Sequence, residues 1–165
     1  MNPSAVADAT PLIVLARVGR LDLLGRVFSR VLVPPLVWSE VAGAPGRPGA
    51  AELRAAPWAQ RTRVRSTALL RELRAELGAE AGEAEAVALA RQRGLRVLLD
   101  DDAAVRAARP RGLRVIRLPY LLYVAHSHGL LRTSLRTVFD EAQTAGFHLP
   151  SEVRIDLLRR SGELD

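Results

Sequence analysis

Short apolar runs alternate with amphipathic stretches along this chain, and no other feature constrains its fold as much. The first run, Ala5 to Ala9, reads as a buried strand that stops at Asp8. Thr10-Pro11 then opens a helix, with Thr10 as its cap and Gly19 at its end. A short helix over Leu21 to Phe28, a strand at Val31 to Val33 and a helix from Leu36 to Ala42 follow. Gly43 to Gly49 is a surface loop. Beyond it come a helical turn at Ala50 to Ala56, a strand within Trp58 to Val64, and helices over Thr67 to Leu77 and Glu80 to Arg93. Strands at Arg96 to Leu99 and Leu113 to Ile116 flank a helix over Ala103 to Arg109. From Leu118 the pattern is helical: Leu118 to His128, Thr133 to Ala145 and Pro150 to Arg160. Such alternation gives a parallel sheet covered by helices. The expected fold is a single α/β domain over residues 1–165 with a helical C-terminal part.

Composition narrows the chemistry. The chain has 165 residues, 48% hydrophobic and 25% charged, enough to bury a core without disulfides, so whole-chain disorder is excluded. There is no cysteine, which removes thiol catalysis and thiolate zinc sites and fits a reducing cytoplasm. There is no lysine either, because all 24 basic residues are Arg. That removes the P-loop, Schiff-base chemistry and kinase-type nucleotide sites. The net charge of +6 has two readings, an acidic partner such as nucleic acid or a compositional drift toward Arg. No apolar run approaches the roughly 18 residues of a membrane span, and Met1 to Thr10 carries no basic leader region. The expectation is a cytoplasmic protein that does not enter the membrane.

In open α/β sheets, ligands bind at the carboxyl ends of the strands. Two strands end there in acid, one at Asp8 and one at Asp100-Asp101-Asp102. Glu40, one turn from Leu36 and Val37, borders the apolar face of its helix. Glu83 and Glu85 open another helix after Gly82, and Glu83, one turn before Val87, lies nearer the core face. Carboxylates gathered at a sheet rim raise one another's pKa unless a cation intervenes. Mg²⁺ or Mn²⁺, which prefer oxygen ligands, are the natural compensators. Each acid also has a plain structural reading. Asp8 suits an N-cap arrangement with Thr10, the Asp100 to Asp102 run suits a strand-to-helix turn, Glu40 can snorkel outward, and Glu83 and Glu85 complement a helix dipole.

Taken in order, Asp8-Ala-Thr-Pro-Leu-Ile, Val33-Pro-Pro-Leu-Val-Trp-Ser-Glu40-Val, Gly46-Arg-Pro-Gly49, Gly82-Glu-Ala-Glu-Ala-Val-Ala-Leu-Ala90 and Leu98-Leu-Asp-Asp-Asp102 resemble the PIN-domain superfamily. More narrowly they resemble a prokaryotic, toxin-like PIN nuclease family, from about Val6 to the C-terminus. The resemblance implies a metal-dependent ribonuclease using Mg²⁺ or Mn²⁺, often the toxin of a toxin–antitoxin pair. It places the family's acids on Asp8, Glu40, Glu83 (with Glu85 as the alternative) and Asp101-Asp102, with Asp102 preferred because it begins the following helix. Thr10 falls at the hydroxyl beside the first acid and Arg47 at an Arg of the family's loop. On this reading Asp8, Glu40 and Asp102 are metal ligands, Glu83 holds a second position or orients water, and Thr10 supports Asp8 or positions a phosphate. The chain departs from the family after the last strand, where Arg117-Leu-Pro-Tyr120 replaces a Gly-rich turn.

Arg61, Arg63 and Arg65 alternate, so on a strand they project from one face and, with Arg47, Arg71 and Arg74, suit an RNA backbone. A solvated surface face explains them equally. His126 and His128 point to different sides of a helix and do not chelate together. Apolar residues of the C-terminal helices, among them Val138, Phe139, Phe147, Ile155, Leu157 and Leu158, exceed what a small sheet needs. They raise the expectation of a homodimer or an antitoxin partner. A receiver domain is disfavoured by the missing Lys, and a dehalogenase-type phosphatase by Thr10 where a second Asp belongs. A catalytically silent PIN-like scaffold that binds RNA or protein is the remaining alternative.

Overall fold

Five parallel strands form the sheet of the computed structural model, which describes residues 3–165. They are β1 (Ser4–Ala7), β2 (Arg30–Val33), β3 (Ala59–Arg61), β4 (Arg96–Leu98) and β5 (Val115–Ile116), in spatial order β3-β2-β1-β4-β5. Register is set by alternation. Ala5, Ala7, Val31, Val33 and Leu98 face one layer of helices, while Val6, Leu32, Val97 and Leu99 face the other. The first layer holds α1 (Ala9–Arg17), α2 (Leu23–Val27), α3 (Pro35–Ala42), α4 (Ala50–Ala55), α8 (Leu118–Ser127), α9 (Leu135–Thr144) and α10 (Ser151–Arg160). The second holds α5 (Ala68–Leu77), α6 (Gly82–Arg93) and α7 (Asp102–Ala108). The expected parallel α/β domain is what forms. No helix among the described residues is long and apolar enough to cross a membrane.

Three local expectations give way. Helix α1 starts at Ala9, so Asp8 occupies its cap position and Thr10 lies inside the first turn. Pro11 is tolerated there because the first-turn N–H groups have no helical partner. Strand β3 is only three residues long, so Arg61, Arg63 and Arg65 do not share a regular strand face. Its neighbour β2 runs into Pro34-Pro35, which have no N–H with which to extend the ladder. The apolar surplus of the C-terminal helices is used internally: Val138, Phe139, Leu157 and Leu158 are buried and Phe147 packs on the core. Of the residues that raised the expectation of a second chain, Ile155 is the one left substantially exposed.

Candidate active site

β1 pairs with β2 on one side and β4 on the other, so the chain's crossovers diverge at its carboxyl end, the place where such sheets bind ligands. Asp8 sits there. Its N–H donates to the Leu98 carbonyl at 3.0 Å, which fixes it beside the end of β4. The side chain is 1% exposed. Although Asp8 is the cap residue of α1, neither carboxylate oxygen accepts a hydrogen bond from the protein. Burial pushes its pKa up to about 8, with Glu83, Glu40 and Asp100 adding to the rise. The neighbouring Ala9 amide pulls the other way without reaching hydrogen-bond geometry.

Asp100 follows β4 on the other side of the divergence. Its Oδ1 accepts from the Leu118 N–H at 2.9 Å, and the Arg117 guanidinium donates to its carbonyl at 2.8 Å. Its Oδ2 is enclosed and unpartnered. Burial pushes Asp100 up to about 6, opposed by Leu118 and Arg117 and assisted by Asp102. The Arg117-Leu-Pro-Tyr120 segment that departs from the family therefore builds the site: with Pro119 in its first turn, α8 begins at the point that holds Asp100.

Glu40 comes from α3 and Glu83 from the first turn of α6. Helix α6 approaches α3 through Gly82, where a Cβ would stand 3.1 Å from Val37 Cγ2 and 3.7 Å from Glu40 Oε2. Partial burial and Glu83 raise the Glu40 pKa, and Arg47 opposes them. Arg47 donates to the Ser39 and Glu40 carbonyls at 3.2 and 2.6 Å, closing the end of α3.

The structure thus brings Asp8, Glu40, Glu83 and Asp100 into one field, while the other candidate acids have protein partners of their own. Glu85 is buried, but its Oε2 accepts from the Leu36 N–H at 2.9 Å and its Oε1 lies 3.5 Å from Arg74, so it caps α3. Asp101 caps α7 by accepting from Ala104 at 2.8 Å. Asp102, the preferred fourth acid, is 73% exposed and accepts from Arg117. Arg117 holds its pKa below the usual carboxylate value, with Arg106 and His148 contributing. Asp100 is the acid that spacing passes over. Its signal is positional: once Asp101 takes the cap, only the acid before it remains at the strand end. Arg61, at the end of β3 opposite Val33, is exposed, as are Arg63 and Arg65 after it and Arg71 in α5. His126 pairs with Glu163 at 3.3 Å.

Thr10, Glu83, Asp100, Asp101 and Asp102 all line a cleft of about 880 Å³, whose walls also include Arg117, Tyr120 and His148. The donor set suits a hard divalent cation: it is all oxygen, and Asp8 has two buried oxygens that the protein leaves unsatisfied. As the side chains stand, no three Asp, Glu or His groups among the described residues surround a common point closely enough to hold a metal ion.

A parallel α/β domain with carboxylates gathered at the divergence of its strands is an open-sheet fold with its ligand-binding edge lined by acids. A profile described as a PIN domain matches residues 4–163. The chain belongs to the PIN-domain family, a nuclease-type fold whose members are generally hydrolases that use divalent metal ions. No curated protein and no solved structure matches it.

Proposed function

We propose that the protein is a metal-dependent endoribonuclease that hydrolyses phosphodiester bonds of RNA with Mg²⁺ or Mn²⁺. The observation that carries this reading is Asp8: a buried carboxylate without a protein donor, facing three further carboxylates at the sheet's ligand-binding edge. Asp8 and Asp100 would hold the cation, with Glu40 and Glu83 completing the set. When bound, the ion polarises the scissile phosphate and lowers the pKa of water. The Leu118 N–H and Arg117 keep Asp100 oriented toward the cleft. Thr10, on the cleft wall beside Glu83 and Asp100, is placed to orient water or a phosphate oxygen. Asp101 and Asp102, assigned as ligands on sequence grounds, serve as a helix cap and an Arg117 partner in this reading.

RNA is the substrate partner, and the site of action is the cytoplasm. A toxin role with a protein antitoxin is suggested by the family resemblance and is tested by induced expression, where growth arrest abolished in Asp8→Asn supports it and unaffected growth counts against it. A homodimer rests on the exposed Ile155 alone among the residues that suggested it. The silent-scaffold reading is favoured by one observation, that the acids do not converge as they stand. An RNA digest with a Mg²⁺ or Mn²⁺ titration decides. Metal-dependent cleavage lost in Asp8→Asn supports the enzyme, and RNA binding without cleavage at any metal concentration supports the scaffold.

A further inference from the structure

A second cleft, of about 570 Å³, opens between α8 and the amino ends of β1 and β4. Its floor is apolar, with Phe28, Ile116, Leu121, Val124 and Leu130. Its other lining includes Arg26, Arg96 and His128, and no carboxylate. Tyr120 lines both clefts and is 51% exposed, so its ring forms the ridge between them.

The charges give this continuity a direction. In the first cleft Arg117 is paired with Asp102 and Arg160 with Asp156; Arg109 also lines it, but Glu83, Asp100, Asp101 and Glu152 leave the acids in the majority. A phosphate chain is repelled from that wall. The second cleft has no acid to repel it, and among the described residues neither Arg96 nor His128 is paired with a carboxylate. An exposed aromatic ridge leading to an apolar floor with a cationic lining suits unstacked nucleotides, with bases on apolar surface and phosphates on guanidinium. A duplex keeps its bases stacked and offers the ridge nothing.

We infer that single-stranded RNA leaving the acidic cleft crosses Tyr120, stacks a base on its ring, and continues into the second cleft with its phosphates on Arg96. This rests on the nuclease reading and adds a specificity element on the segment that departs from the family. Binding is measured by fluorescence anisotropy with the full chain in EDTA, so nothing is cut, using a labelled oligouridine long enough to span both clefts, a labelled dinucleotide and a duplex. Tyr120→Ala should weaken the oligouridine by about fivefold or more, and Tyr120→Phe should retain it. Arg96→Gln should lower the salt slope of the oligouridine by about one and leave the dinucleotide unchanged. The duplex should show no dependence on Tyr120. Parent-like oligouridine binding by Tyr120→Ala and Arg96→Gln overturns the inference. If those variants instead lose affinity for an acidic amphipathic peptide, the cleft belongs to a protein partner. Absence of metal-dependent cleavage by the parent, with the binding changes intact, sinks the nuclease reading and leaves the RNA path standing.

Discussion

Replacing Asp8 with Asn should stabilise the metal-free protein strongly in mildly alkaline solution and only slightly in mild acid. Asp8 has an ordinary carboxyl pKa of 3.8 in the unfolded chain and is pushed up to about 8 in the folded one. The folded state therefore holds this proton more tightly. Its contribution is fully present below the unfolded value and is lost as pH rises through the folded one. At 1.36 kcal/mol per pKa unit, the loss between about pH 5 and pH 8 is on the order of 3 kcal/mol. Asp100, raised to about 6, and Glu40 act in the same direction. Asp102, whose pKa is lowered, loses its contribution only in stronger acid, outside this window. The Asp8→Asn substitution keeps the shape of the side chain and removes its charge. Urea unfolding in EDTA at the two pH values, with the m-value checked for constancy, should show the parent falling and Asp8→Asn staying flatter. At the higher pH the variant should lead by about 5 kcal/mol, against about 1.5 kcal/mol at pH 5. With Mn²⁺ the order should reverse, because ion binding stabilises only the parent. A parent whose stability in EDTA is constant or rises from pH 5 to pH 8 would refute the reasoning, as would an Asp8→Asn variant weaker than the parent at pH 8.

Asp100→Asn should lose at least about a hundredfold in metal-dependent RNA cleavage, while the exposed Asp102→Asn stays within a few-fold of the parent; equal losses in a digest would return Asp102 to the metal site. Glu85→Ala leaves the Leu36 N–H and Arg74 without their acceptor, and should lower stability by about 1–3 kcal/mol in urea unfolding without changing Mn²⁺ affinity. Phe139→Ala, at a ring 1% exposed in the single chain, should cost about 3–5 kcal/mol and leave the sedimentation coefficient unchanged. A change in oligomeric state without loss of stability would instead put that ring in a subunit interface.

The fold is legible in the sequence because its devices are local. Val31 to Val33 followed by two prolines can only be a strand that stops and a helix that starts, and Gly94 closes α6 in the left-handed conformation that Gly tolerates. Asp8, Glu40 and Glu83, the acids proposed for the cation, stand out in the sequence for the same reason, each at a strand end or on a helix face. Assigning the last acid depends on tertiary facts. Asp100, Asp101 and Asp102 are chemically alike, and what separates them is the Leu118 N–H and the Arg117 guanidinium, both more than a dozen residues downstream. The choice between Glu83 and Glu85 likewise turns on the Leu36 amide, in a different helix. The apolar residues of α9 and α10 look surplus when counted against a small sheet. They are not, because α8, α9 and α10 add their own layer to the core.

Calorimetric titration of Mn²⁺ into the parent near neutral pH, in two buffers of different ionisation enthalpy, tests the metal site most directly. Asp8, with its pKa near 8, is mostly protonated there, and a cation can bind its carboxylate only by displacing that proton. Saturable binding with release of about one proton per ion, abolished in Asp8→Asn, is the expected result. Binding that releases no proton and persists in Asp8→Asn, or no binding at all, would contradict a metal site built on Asp8.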